Sequence, residues 1–306
     1  MRIKQTMRYV MCCMGFLPLS LQALTLPLSK SSDVVGRLQV VQAHMGETLT
    51  DVGRRYDVGS LQIKEANPNI KVKQVLHAGA LVIIPNQFIL PNVERQGVVI
   101  NLAEQRLYYY PDDKTTVITE PVGIGRKGQW QTPLGLTKIT KKVLDPLWHP
   151  TANVRTEAAS HGTPIPWQFP PGPNNPLGRH ILRLGWATYL IHSTNQPDSV
   201  GGRVSAGCIR MLPKGIERLY DLISVGTTVL VINEPYKMGW KNNKLYFESH
   251  TPLIINKITH RESMRKLIWA MREFLNASNA WVSWDKVKNH ALLHQGIPQI
   301  VGSIKM

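Results

Sequence analysis

The sequence is poor in cysteine and in acidic residues, and beyond its start it has no long apolar run. Three cysteines in 306 residues exclude a disulfide-dense scaffold. They are unevenly placed: Cys12 and Cys13 are adjacent near the start, and Cys208 stands alone. Twenty Asp+Glu against 36 Lys+Arg give a formal charge of +16, which directs attention to anionic partners such as nucleic acid, anionic lipid or an acidic polymer. No later segment has the roughly 18 consecutive apolar residues of a membrane span. What is there, 43% hydrophobic and 18% charged residues, is ordinary globular composition and excludes long disordered tails and collagen-like or coiled-coil chains.

Residues 1–23 read as a targeting signal. Arg2, Lys4 and Arg8 precede an uncharged run from Tyr9 to Leu21, closed by the small residue Ala23, which is the layout of a cleavable export signal. An uncleaved anchor is the alternative, and Met11 before Cys12 speaks against a lipoprotein. Cleavage after Ala23 leaves 33 basic against 20 acidic residues, +13, and one thiol.

Residues 38–85 have their own punctuation. Leu38 to Val41 is a short β-branched run. Leu49, Val52 and Tyr56 follow at helical spacing, Ser60 can cap a second short helix ending before Asn67-Pro68, and Leu81 to Ile84 is a strand stopped by Pro85. The expectation is a small βααβ domain. Val40-Val41, Gly46 to Leu49, Arg55-Tyr56, Ile63 to Asn69 and Gly79 to Pro85 together resemble the LysM carbohydrate-binding module. The resemblance implies that an N-acetylglucosamine polymer such as peptidoglycan lies between a loop at Gly46, Glu47 and Thr48 and a loop from Asn67 to Ile70.

After a linker at 86–96, residues 97–233 are rich in short β-like runs, which suggests a sandwich or barrel. Between Val143 and Gly178 the strands give way to Pro, Gly, Asn and Trp, a composition expected of a functional loop or lid. The tail, 237–306, reads as mostly helical: Thr259 with Glu262 forms a capping-box pattern ahead of an apolar face at Met264, Leu267, Ile268, Met271, Phe274 and Leu275, and Ser283 can cap another helix. Eleven Lys+Arg against four Asp+Glu place +7 of the charge here.

The chemistry is concentrated in Ile191-His192-Ser193-Thr194-Asn195 and, a short loop later, Ser205-Ala206-Gly207-Cys208-Ile209-Arg210. A histidine at the end of an apolar strand can take a proton from a cysteine on a small-residue turn, which makes a Cys-His acyl-transfer pair. The amides of Gly207 and Cys208 could hold an oxyanion, Ser205 lets a substrate approach closely, and Arg210 offers a cation to a carboxylate. A buried cysteine acting as a small hydrophobe is the competing reading. An exported chain that keeps a single unpaired thiol favours the reactive one.

These stretches, with Thr132 to Gly135 and Asn175 to Gly178, resemble the YkuD-type L,D-transpeptidase catalytic domain, and the tail resembles the C-terminal extension of its periplasmic, LysM-bearing members. Two positions depart from the pattern: Ala206 replaces a common histidine, and Arg210 stands where some members have asparagine. The resemblance implies a multi-domain, mainly β chain: a βααβ LysM module, a β-sandwich-like catalytic domain and a mostly helical C-terminal extension, exported to the periplasm of a Gram-negative bacterium.

It further implies that Cys208 forms a thioester with a stem tetrapeptide and releases D-alanine, with His192 as base and Ser193 orienting it. The acyl group passes to an amine on another stem or on an envelope protein. A carboxypeptidase or hydrolase using the same pair is the runner-up, and a non-catalytic peptidoglycan-binding protein is the reading from another class. No cofactor or metal is expected, since the histidines lack ligand spacing. Nucleic acid is not expected either, and the basic tail suits contact with the envelope or a membrane surface.

Overall fold

The computed structural model describes residues 24–255, 261–265, 268, 269, 272, 275 and 279–304. The expected signal, Thr259, and Leu267, Met271 and Phe274 of the expected apolar face lie outside the described residues.

The small N-terminal unit has the expected order. Strands β3 (Gln39–Gln42) and β4 (Leu81–Ile84) pair antiparallel, Gln39 opposite Ile84, and enclose helices α1 (Leu49–Arg55) and α2 (Ser60–Ala66). Leu49, Val52, Val58, Ile63, Leu76, Val82 and Ile84 form its own core. Ser60 is the first helical residue, not the cap; the cap is Gly59, which offers no side-chain oxygen. The free amides of Ser60 and Leu61 instead donate to the carbonyls of Val200 (3.2 Å) and Gly201 (3.1 Å), so the next domain caps the helix. Gly201 has φ +83, and a Cβ there would lie 2.2 Å from the Ser60 nitrogen, so only glycine allows this approach.

The stretch expected as a linker contains strand β5 (Gln87–Ile89), paired with β2 (Val34–Gly36). Phe88, Ile89 and Leu90 are buried, so this connection is a packed element.

The central domain is one ten-stranded sheet that closes on itself. It includes β1 (Leu24–Pro27), β6 (Gly97–Asn101), β7 (Arg106–Tyr110), β8 (Thr116–Gly125), β9 (Gly135–Leu144), β10 (His180–Leu184), β11 (Leu190–His192), β12 (Arg203–Ser205), β13 (Ile209–Met211) and β14 (Thr228–Ile232). The order is β1-β8-β13-β11-β10-β9-β14-β6-β7, and β7 returns to β8. The ten residues of β8 make closure possible: its first half pairs with β1 and β7, its second with β13 and β12. Alternation then sorts the side chains. Val98, Ile100 and Leu107 enter the main core with Ile191, Ile209 and Met211, while Val99, Tyr108, Tyr110 and Val117 meet Leu26, Val35 and Phe88 on the other face. Burial on both faces explains the unbroken apolar runs of β6 and β7. Helix α4 (Pro213–Leu222) adds Ile216 and Leu219 to the main core.

The expected mostly helical extension is corrected. Its described residues form a four-stranded antiparallel sheet, β15 (Tyr236–Lys241), β16 (Lys244–Ser249), β18 (Gln299–Ile304) and β17 (Ala280–Val282) in that spatial order, with helix α5 (Trp284–Leu293) against it. The reason is local: Asn242 and Asn243 both take positive φ, 50° and 60°, a two-residue turn that joins twisted strands into a hairpin. Helical residues 261–265 are present, and Met264 and Leu275 pack on this sheet. Ser283 occupies the N-cap of α5 without a side-chain bond to it.

Buried charges tie the three units together. Lys237 Nζ lies 2.9 Å from Glu104 and 3.0 Å from Glu248. His250 bridges Glu248 (2.7 Å) and Glu65 of α2 (3.3 Å).

Candidate active site

Strands β11 and β13 run parallel, with Ile191 opposite Ile209 and His192 opposite Arg210. Ile191 and Ile209 point into the main core. By alternation Leu190, His192, Cys208 and Arg210 share the other face. Cys208 packs there against Leu177, Ile181 and Leu190, with Val143 and Trp148 alongside.

His192 is buried, and its Nδ1 is 2.5 Å from the Ser193 carbonyl. A carbonyl only accepts, so Nδ1 carries the proton and Nε2 is the basic atom. Burial first, then the Arg210 charge, pushes its pKa down to about 3, against the pull of the Ser193 and Leu177 carbonyls. Burial pushes the Cys208 thiol up, although the Leu190 amide and Arg210 favour the thiolate. The resting pair is therefore a neutral thiol and a neutral imidazole, not the ion pair of some cysteine proteases. Arg210 is itself lowered by burial, and its Nε has no hydrogen-bond partner among the described residues.

The turn before Cys208 is braced from within. Ser205 Oγ donates to the Cys208 carbonyl (2.6 Å) and accepts from the Gly207 amide (3.1 Å). Ser205 is thus a buried strut of the turn, and the Gly207 amide expected in the oxyanion hole already has a partner in Ser205 Oγ. Thr132, which sequence reasoning noted only as part of a motif, donates to the Gly207 carbonyl (2.8 Å) and accepts from the Gly125 amide (3.0 Å). Gly207 has φ +109, and a Cβ there would lie 2.7 Å from Tyr189 Cε1. Gly207→Ala is expected to cost roughly 1–3 kcal/mol from backbone strain alone and to shift the thiol. Thermal melting together with the rate of Cys208 alkylation checks both effects.

The Pro- and Trp-rich excursion is ordered. Trp148 and Phe169 exchange backbone bonds of 2.9 and 2.8 Å, helix α3 (Ala152–Ser160) lies between them, and Arg126 pairs with Glu157 at 2.5 Å. Asn175 pins its return: Nδ2 donates to the Pro146 carbonyl (2.8 Å), and Oδ1 accepts from the Leu177 amide (3.0 Å). The excursion thereby brings Leu177 and Trp148 into the apolar cluster on which Cys208 packs.

The expected glycan-contact residues lie in the small unit, and several are occupied. Glu47 pairs with Arg55 (2.8 Å), and Thr48 caps α1 in a reciprocal exchange with Asp51. Asn67 braces the fold through bonds to Ile63 and Ile83 of 2.9, 2.8 and 2.8 Å. Gly46 is at φ +84 with open space around it, and Ile70 packs partly against the core.

Among the described residues one cluster has metal-ligand character, Glu104, Glu248 and His250. The Lys237 ammonium sits against both carboxylates and supplies the cation itself. No described helix is long and apolar enough to cross a membrane.

A thiol and an oriented neutral imidazole on paired strands, under an apolar cover, define a cysteine-dependent acyl transferase. A family model for the L,D-transpeptidase catalytic domain (YkuD) matches residues 95–231. The probable L,D-transpeptidase YcfS of Escherichia coli K12 is 39% identical over 244 residues, covering 78% of this chain and 76% of the relative. YbiS from the same strain is 38% identical, covering 83% of each. The solved catalytic domain of the E. faecium L,D-transpeptidase is 22% identical, covering 46% of this chain and all of that one at a TM-score of 0.36. The chain belongs to the L,D-transpeptidase family.

Proposed function

We propose that this L,D-transpeptidase works through Cys208 and His192 in two steps. His192 Nε2 takes the thiol proton as sulfur attacks the carbonyl at the L-centre of the diamino acid in a stem tetrapeptide. D-alanine leaves with that proton, and a thioester remains. An amine, deprotonated by His192, then resolves the thioester into an amide. With the Gly207 amide held by Ser205, the oxyanion falls to the Cys208 amide. Ser193 acts through its carbonyl, which fixes the imidazole tautomer, and Arg210 faces a substrate carboxylate. Trp148 and Leu177 keep water from the thioester, which favours transfer over hydrolysis. The observation that carries this reading is the placement of His192 and Cys208 on one face of two paired strands.

The same proposal has the chain exported after loss of residues 1–23, with residues 38–85 as a LysM module and the periplasm as its site of action. Met45 and Val75 are exposed beside the Gly46 loop, an apolar surface suited to a sugar face. The acceptor is a stem peptide or an envelope protein. Incubation with stem tetrapeptide and candidate amines decides: D-alanine release with a new amide is expected, and tripeptide without an amide would make it a hydrolase.

Arg210→Gln removes a charge that lowers both partners. Both pKa values are expected to rise, so the pH–rate profile for alkylation of Cys208 moves to higher pH. An unmoved profile would show that Arg210 does not act on the thiol.

A further inference from the structure

Away from the thiol, the three units line an open cavity of about 680 Å³. Helix α2 contributes Leu61 and Lys64, the central domain Gln105, Lys127 and Arg203, and the extension Ile254. Among the described residues three cations and no carboxylate line it.

Gln105 gives the cavity a second, independent mark. It is 3% exposed, yet its Oε1 has no hydrogen-bond partner among the described residues. Its backbone takes φ 54, a conformation that a residue other than Gly, Asn or Asp adopts only under constraint. The backbone bonds are made, from its amide to Leu102 (3.2 Å) and from Val122 to its carbonyl (2.8 Å). A buried acceptor left unmet is costly to the fold, and its natural complement is an N–H brought by a ligand.

Two lining residues of the cavity lie next in sequence to elements that hold the catalytic turn. Arg203 opens β12, which runs into Ser205 and the turn to Cys208. Gln131, also in the lining, precedes Thr132 and donates to the Ile254 carbonyl (3.3 Å). We propose that this cavity is a second binding site for a peptidoglycan stem peptide, holding it beside the Cys208 site; the inference builds on the transpeptidase reading above. A stem peptide carries carboxylates for Lys64, Lys127 and Arg203 and amide N–H groups for Gln105. An N-acetylated sugar chain without stems has the amides but no negative charge, so charge complementarity selects the peptide.

The test uses the full chain with Cys208→Ser, which prevents turnover, and a disaccharide-tetrapeptide titrated by calorimetry. Two binding sites are expected. Lys64→Glu with Lys127→Glu should weaken one of them at least about tenfold and leave binding of a chitooligosaccharide unchanged. Gln105→Leu should weaken the same site by about tenfold while Tm holds or rises, because an unmet polar atom is removed. Identical titrations in parent and variants would overturn the inference. So would equal competition by polyglutamate, which marks a nonspecific basic surface, or a Tm loss in Gln105→Leu, which marks a structural glutamine. Carbapenem adduct formation on Cys208, followed by intact mass in chains that retain the thiol, separates the two readings. An adduct in the parent but not in the Lys64/Lys127 variant would overturn the cavity site, because the substitutions would then act on the thiol. No adduct in the parent would instead overturn the thiol mechanism.

Discussion

Cys208→Ala is expected to abolish acyl transfer and leave the fold standing. The thiol is half-buried at the edge of a small apolar cluster, and removing one sulfur from such a place costs about 1 kcal/mol. Turnover should fall by roughly 10⁴-fold or more, as when any member of a nucleophile–base unit is lost. The direct readout is intact mass after exposure to a carbapenem: one adduct on the parent, none on the variant, at matching Tm. Serine is not expected to rescue. An imidazole whose pKa is near 3 is a weak base, able to assist proton loss from a thiol but poorly matched to a hydroxyl. A variant that still takes the adduct would place the nucleophile elsewhere and remove the basis of the mechanism.

Legibility in the sequence followed the range of the interactions. The βααβ unit was readable because its signals are local: apolar spacing in α1, the Asn67-Pro68 stop after α2, and Pro85 after β4. His192 and Cys208 were readable because a strand end and a small-residue turn are local as well. The sheet pairing that puts both side chains on one face is not local, and neither is closure through β8. The extension was misread because apolar spacing at 264–275 outweighed the Asn242-Asn243 turn, whose strands alternate on either side. The bracing bonds of Ser205 and Asn67 were not legible for another reason. A polar residue in a loop looks available until the structure shows its hydrogen bonds already made. The charge network had no sequence signal, since Glu65, Glu104, Lys237, Glu248 and His250 are scattered over nearly two hundred residues.

That network carries the largest expected effect on stability. Lys237 is buried among Glu104, Glu248 and the Ile89 carbonyl, 2.6 Å from its Nζ. Burial alone would lower its pKa, but the two carboxylates outweigh it and the pKa rises. Lys237→Met leaves Glu104 without its cation and Glu248 with His250 alone at a junction of units, and removing one member of a buried ionic set typically costs about 3–5 kcal/mol. In a protein of this size that is a fall in Tm of roughly 6–20 °C. Adding Glu104→Gln to Lys237→Met should restore most of the loss, because the uncompensated charge rather than the missing contact is the main cost, while Glu248 keeps His250 as its partner.

His250 supplies a pH signature for the same network. Burial opposes its protonation, yet Glu248 and Glu65 raise its pKa from 6.5 to about 9. A group raised on folding stabilises fully below its unfolded pKa, and that stability is lost as pH rises through the folded one. Denaturant unfolding should therefore show full strength below about pH 6.5 and a decline of up to roughly 3 kcal/mol by the time pH passes 9. His250→Gln should flatten that decline. A parent whose stability stays level from pH 6 to 10 would mean that the imidazole is neutral in the fold, and that Glu65 holds α2 against the extension through its bonds to Thr251 (3.1 and 2.6 Å) alone.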